Sequence, residues 1–225
     1  MTHMRIGLAR HFPVSVPWPS GWRTSAELQT WREQYDHAEV ISFPVPDETP
    51  NWSHCYTSDL PRAEKTARTL FRAAVTPLSL LREGEFGPFP TGRLRLPVWI
   101  WYRVIRLAWL AGHPSQKHLR DDFFKRVRAV ADIIESHQED LLLVSHAGMM
   151  LYLRKELIRR GFRGPRFDTA QHARVYEFHR QSVARTSTSI GVTLLPEASL
   201  ERKDLPKRNT RIFSKTAVAH ASREG

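Results

Sequence analysis

The sequence predicts an α/β fold, a three-layer α/β/α sandwich around a mainly parallel central sheet. Short apolar runs alternate with segments whose apolar residues recur every three or four positions, as in strands joined by crossover helices. Charged and imidazole side chains follow directly after several of those runs, where an α/β sheet binds its ligands. The length, 225 residues at 41% hydrophobic content, suffices for one large core.

In chain order, the expected strands are Arg5 to Ala9, His54 to Thr57, Pro77 to Leu81, Leu141 to Val144, Arg174 to His179 and Ile190 to Leu195. Between the second and third, Leu60, Ala63, Ala67, Leu70, Phe71 and Ala74 fall on one helical face, with Asp59 and Pro61 as the start signal. Phe123, Phe124, Val127, Val130, Ala131 and Ile134 mark a second amphipathic helix, and Met149 to Ile158 a third. No repeat and no Pro/Gly/Ser-rich linker divides the chain. One domain over residues 1–196 is therefore expected, followed by a flexible basic polar tail over 197–225.

The net charge of +11 favours an anionic partner or substrate. It is concentrated in two blocks, Arg93 to Arg128 and Arg154 to Arg185, each with nine Lys/Arg against two or three carboxylates. The single cysteine, Cys55, excludes an internal disulfide and a cysteine metal cluster, and fits a reducing compartment. The first ten residues lack a signal-peptide pattern, and Arg95, Arg103 and Arg106 interrupt the most apolar stretch, Leu94 to Ala111. A cytoplasmic protein without a membrane span is expected.

Four strand ends carry chemistry: Arg10-His11, Ser58-Asp59-Leu60-Pro61-Arg62, Arg82-Glu83 and Ser145-His146. Together they suit phosphoryl transfer through a phosphohistidine. A neutral imidazole attacks phosphorus, guanidiniums and a second histidine hold the oxygens, and a carboxylic acid protonates the departing oxygen. Arginine serves better than lysine because its planar fork binds phosphate oxygens in pairs. A cysteine phosphatase is disfavoured, since six residues without glycine separate Cys55 from Arg62. The sequence has no His-x-His, no His-x-x-x-His and no carboxylate-linked histidine pair of zinc-site spacing, so no dedicated metal site is expected, and no cofactor is expected either.

These segments resemble the histidine phosphatase superfamily, the phosphoglycerate-mutase-like group. The resemblance rests on Arg10-His11-Phe12, Ser58 to Ala67, Glu83 to Gly87 and Leu142 to Gly148, in the family's order and spanning Ile6 to Gly148. It implies His11 as the phosphorylated nucleophile, Arg10, Arg62 and His146 as the phosphate clamp, and Glu83 as proton donor and then base. It implies a metal-independent phosphatase acting on a small phosphorylated substrate or a phosphoprotein. A phosphomutase on the same site and a catalytically idle phosphate-binding module are the alternatives.

The chain departs from the family where its usual glycine is replaced by Phe12, a ring expected beside the pocket. Phe12, Arg82 and Ala147 are candidate substrate contacts. By the same resemblance, residues 93–128 form a helical roof over the site. Their interleaved aromatic and basic residues also admit contact with nucleic acid or an acidic membrane, neither of which is favoured.

Overall fold

The computed structural model describes residues 4–44, 51–89 and 91–180. The expected strand at Ile190 to Leu195 and the tail over 197–225 lie outside them. The elements in order are β1 (Arg5–Arg10), β2 (Trp22–Arg23), α1 (Ser25–Asp36), β3 (His54–Thr57), α2 (Pro61–Leu70), β4 (Val75–Pro77) and β5 (Leu96–Pro97). They continue as α3 (Val98–Ala111), α4 (Pro114–Ser136), β6 (Leu141–Ser145), α5 (Ala147–Arg159) and β7 (Val175–His179).

A five-stranded sheet runs in the order β4-β3-β6-β1-β7. The β4, β3, β6 and β1 neighbours pair in parallel, and β7 closes the edge antiparallel to β1. β6, at the centre, is buried along its whole length. Because successive side chains of a strand point to opposite faces, Leu141 and Leu143 join one core with α4 and α5, while Leu142 and Val144 join another with Ala63, Ala67 and Leu70 of α2. Helices therefore cover both faces, and the three-layer sandwich is observed. All four parallel strands end on the same edge, so Arg10, Ser58 and His146 are brought together by topology.

The structure corrects the element boundaries in three places. The strand expected at Pro77 to Leu81 lies earlier, at Val75–Pro77, and Ser79–Leu81 form a 3-10 turn. That turn buries Leu81 against the α4 layer and presents its carbonyl to Ser145 Oγ at 2.6 Å, which an extended run could not do. Helix α2 stops at Leu70 because Phe71 is extended and Val75 already belongs to the next strand. Helix α1 was not expected from the apolar pattern, since only Ser25 and Leu28 are buried in it. A capping box between Thr24 and Glu27 fixes its start.

Candidate active site

The position of His11, the expected nucleophile, follows from β1. Its last residue, Arg10, pairs with Ser145 at the end of β6, and the His11 N–H donates to the Ser145 carbonyl at 3.0 Å. His11 is 3% exposed. Its Nδ1 lies 2.5 Å from the Phe12 carbonyl, which can only accept, so Nδ1 carries the proton and the Nε2 lone pair is free. Burial, then the Arg62 guanidinium, push the imidazole down to about 3. The ring is therefore neutral at physiological pH, the form in which a nitrogen can act as a nucleophile.

His146 caps the end of β6 at the start of α5, its ring centroid 5.1 Å from that of His11. Burial holds it well below the usual histidine range, with the His11 ring and Arg62 adding to the effect. Its Nε2 is 2.9 Å from Ser58 Oγ, itself the acceptor for the Leu60 N–H. Donation of the Ser58 hydroxyl proton to Nε2 would leave the N–H on Nδ1. That Nδ1 is buried and unpartnered among the described residues, as are Arg10 Nε and Arg62 Nε. Orphaned buried donors are costly, and here they belong to three cation- or proton-bearing side chains around one imidazole.

Each residue of the expected clamp is held by neighbours. Arg62, in the first turn of α2, is 3% exposed, pairs with Asp36 at 2.9 Å and lies over the Tyr35 ring at 5.2 Å. Arg10 donates from Nη1 to the Ala170 carbonyl at 3.0 Å. Thr66 links the first two motifs: its Oγ1 accepts the Phe12 N–H at 2.8 Å and donates to the Arg62 carbonyl at 2.7 Å. Glu83 accepts from the backbone N–H groups of Gly84, Gly148 and Met149. Glu85, two residues on, is exposed and borders a separate surface depression.

Arg10, His11, Arg62, Glu83 and His146 share the wall of a cavity of about 320 Å³. The rest of the lining is largely aromatic: Trp18, Trp31, Tyr35, Phe86, Tyr102, Trp109, Phe123 and Tyr152. Helices α1 and α3 supply half of these rings, Trp31, Tyr35, Tyr102 and Trp109. Of the expected 93–128 roof, Tyr102, Ile105, Arg106, Trp109 and Phe123 line the cavity, whereas α4 turns Val127 into the main core.

Of the three expected substrate contacts, Ala147 lines the cavity, and two are corrected. Phe12 is fully buried against Phe43, ring centroids 5.0 Å apart, and is not part of the lining. The bulk expected beside the pocket is turned into the packing beneath it. Arg82 is held in a two-point ion pair with Asp59, both bonds 2.7 Å, and borders the same outer depression as Glu85.

Two residues that the motifs do not include also reach the site. His172 donates from Nδ1 to the His11 carbonyl at 2.6 Å, and its ring centroid is 5.3 Å from that of His11. It is placed by a bridge to Arg10 and by Ala173, whose φ of 55° turns the chain there. Asp36, at the end of α1, is the partner of Arg62. Among the described residues, no group of three or more His, Cys, Asp or Glu is placed to hold a metal. Nor is any described helix long and apolar enough to cross a membrane.

At its strand ends this mainly parallel α/β sheet gathers two neutral histidines, one buried arginine (Arg62), one half-buried arginine (Arg10) and a carboxylate around one cavity. The chain belongs to the histidine phosphatase superfamily, branch 1, whose family model matches residues 48–191. The match begins after Arg10 and His11, so those two join the site through the β1–β6 pairing.

No curated protein matches the chain. Among solved structures it is similar to "Mycobacterial hydrolase 2", with 21% identity, 71% of this chain and 74% of that one covered, and a TM-score of 0.43. "Mycobacterial hydrolase 1" matches at 20% identity, 69% and 79% coverage and a TM-score of 0.41. Bacillus stearothermophilus YhfR matches at 16% identity, 77% and 90% coverage and a TM-score of 0.42.

Proposed function

We propose that the protein is a phosphomonoester hydrolase that works through a phosphohistidine on His11 and without a metal. The observation that carries this reading is that Arg10 Nε, Arg62 Nε and His146 Nδ1, on residues that share the cavity wall with a neutral His11, are buried and unpartnered among the described residues. A dianionic phosphoryl group satisfies all three, and fixed positive charge in a water-poor site is the usual source of transition-state stabilisation.

The chemistry divides into two displacements. The Nε2 lone pair of His11 attacks phosphorus, the bond to the ester oxygen breaks, and Glu83 in its protonated form gives that oxygen a proton. Water then attacks the phosphohistidine, the P–N bond breaks, and the Glu83 carboxylate takes the proton of the attacking water. Inorganic phosphate leaves and Glu83 is again protonated. Arg10, Arg62 and His146 hold the equatorial oxygens through both steps.

The test is release of inorganic phosphate from an aryl phosphate by the purified chain. Turnover that survives a chelator, is lost in His11→Ala and leaves acid-labile label on His11 supports the reading. Phosphate binding without turnover shows an idle binding module, and transfer between hydroxyls without phosphate release shows a mutase; either outcome overturns it.

A further inference from the structure

Six of the ten large apolar side chains exposed among the described residues lie on or beside helix α3: Trp22, Leu94, Trp99, Val104, Leu107 and Leu110. Such clustering is unusual on a soluble surface, where exposed apolar residues scatter singly. Within α3, Trp99, Arg103, Arg106, Leu107 and Leu110 follow at spacings of four, three, one and three, so they share one helical face. Trp99 and Leu107 are 59% and 66% exposed. The opposite side of the helix is spoken for: Val98 and Trp101 pack in their own small core, and Tyr102, Ile105 and Trp109 line the cavity, which Arg106 also borders.

The patch extends beyond the helix. Trp22 of β2 pairs with Pro97 of β5, and Arg95 donates from Nη2 to the Trp22 carbonyl at 3.0 Å. The two-stranded ribbon thereby carries Trp22, Leu94 and Arg95 up to the start of α3. Trp18, which stacks on Tyr102 at 5.2 Å between centroids, belongs to the cavity side of the helix and is no part of this face.

Its charge has one sign. No Asp or Glu occurs between Glu85 and Asp121, while Arg93, Arg95, Arg103 and Arg106 do. Arg103 lies over the Trp99 ring at 5.2 Å. Neither Arg103 nor Arg106 makes an ion pair with a described residue; Arg95 meets Glu27 at 3.3 Å.

We propose that this face is a docking surface for an anionic membrane, with α3 lying in the headgroup plane. Aliphatic Leu107 and Leu110 have nothing to offer a base or a phosphate, but they fit among acyl chains. Tryptophan is the side chain favoured at the headgroup level. Arginines beside it keep their stems in the apolar layer and their guanidiniums among lipid phosphates. That combination selects a lipid surface over nucleic acid, which would want stacked rings without the aliphatic ridge. The proposal does not depend on the phosphatase reading, because none of Trp99, Arg103, Leu107 and Leu110 lines the cavity.

The test is cosedimentation of the full chain with vesicles of phosphatidylcholine alone and of phosphatidylcholine with an equal part of phosphatidylglycerol. The expected result is at least about tenfold stronger partition to the anionic vesicles, weakened by salt. Trp99→Ala/Leu107→Ala and Arg103→Glu are each expected to lower that partition at least about fivefold. Both variants should keep wild-type circular dichroism and wild-type turnover of a soluble aryl phosphate, so a folding defect is distinguishable from lost docking. Absence of binding to the anionic vesicles overturns the proposal, as does equal binding by wild type and both variants. It is also overturned if sedimentation equilibrium shows that the same substitutions abolish a dimer, or if they abolish tight binding of single-stranded DNA while vesicle binding persists.

Discussion

The carboxylate of Glu83 closes the N-terminus of α5 at Gly148: Oε2 accepts the Gly148 N–H and Oε1 the Met149 N–H, both at 3.0 Å. A helix N-terminus favours negative charge, so one interaction positions the proposed acid/base and caps the helix that follows His146. A Cβ on Gly148 would come within 2.5 Å of Glu83 Oε1. Gly148→Ala should therefore displace Glu83 and lower kcat by about 10- to 100-fold, the cost of misplacing a catalytic group by about an ångström. The inhibition constant for inorganic phosphate should change little, because the clamp is not touched. A large loss of phosphate affinity with unchanged kcat would show that Gly148 serves the clamp instead.

Removing the proton from the same position has a different signature. Glu83→Gln should lower kcat by about 10²- to 10⁴-fold on substrates with basic leaving groups. With an acidic phenol as leaving group the first displacement needs no proton, whereas hydrolysis of the phosphohistidine still lacks its base. Rapid mixing should then show a burst of phenol near one equivalent, followed by slow turnover. An equal loss on all leaving groups, without a burst, would place Glu83 outside proton transfer.

The sequence made some of this site legible and hid the rest for physical reasons. Ser58 to Ala67 spells a strand end, a helix start and its buried face in consecutive residues, so Ser58, Arg62 and Thr66 could be placed from local rules. His172 could not, because it reaches His11 through a bridge to Arg10 and a left-handed Ala173, a tertiary arrangement with no local pattern. Helix α1 carried a visible capping box at Thr24 and Glu27, but it packs on the cavity and not on the sheet, so its apolar periodicity is thin. The direction of the Phe12 ring depends on which side of the strand end holds Phe43 and Thr66, again a long-range matter.

Asp36 offers a test of one such long-range partner. It faces Arg62 at 2.9 Å while Arg62 is 3% exposed, so Asp36→Asn leaves a buried guanidinium without its counter-charge. Hydrogen bonds to charged groups contribute about 1.5–3 kcal/mol. With Asp36 itself partly exposed, the lower end is expected, together with a reduced Tm. A mobile Arg62 should also raise KM about tenfold, the equivalent of about 1.4 kcal/mol. Unchanged KM and Tm would mean that Tyr35 and the fold alone fix Arg62.

Cys55 separates two phosphatase chemistries. It lies in β3, packed with Ala63, Ala67 and Leu142, and burial pushes its thiol up to about 12. A thiol so far from ionisation is a poor nucleophile. The native protein should react with a disulfide reagent only after denaturant is added, and Cys55→Ala should retain wild-type turnover. Rapid labelling of native Cys55 with parallel loss of activity would contradict the His11 assignment.

The pH dependence of stability follows from His11 and His146. His11 falls from the ordinary 6.5 to about 3 on folding, and burial drives His146 in the same direction. Between about 3 and 6.5 the unfolded chain binds protons at these positions that the native chain does not. Native stability from this source is therefore complete above about pH 6.5 and is lost as the pH falls toward 3. His172 is lowered by burial as well, so His11→Gln removes one of three such groups, and its Tm should fall less steeply than that of wild type between pH 7 and pH 5. For the same reason kcat/KM should lack an acid limb from His11 near pH 6.5, since the free enzyme already holds the nucleophile neutral there. Parallel Tm profiles for the two proteins, or an ascending limb near 6.5 that disappears in a His11 variant with residual activity, would show that His11 titrates normally and is not desolvated in the native protein.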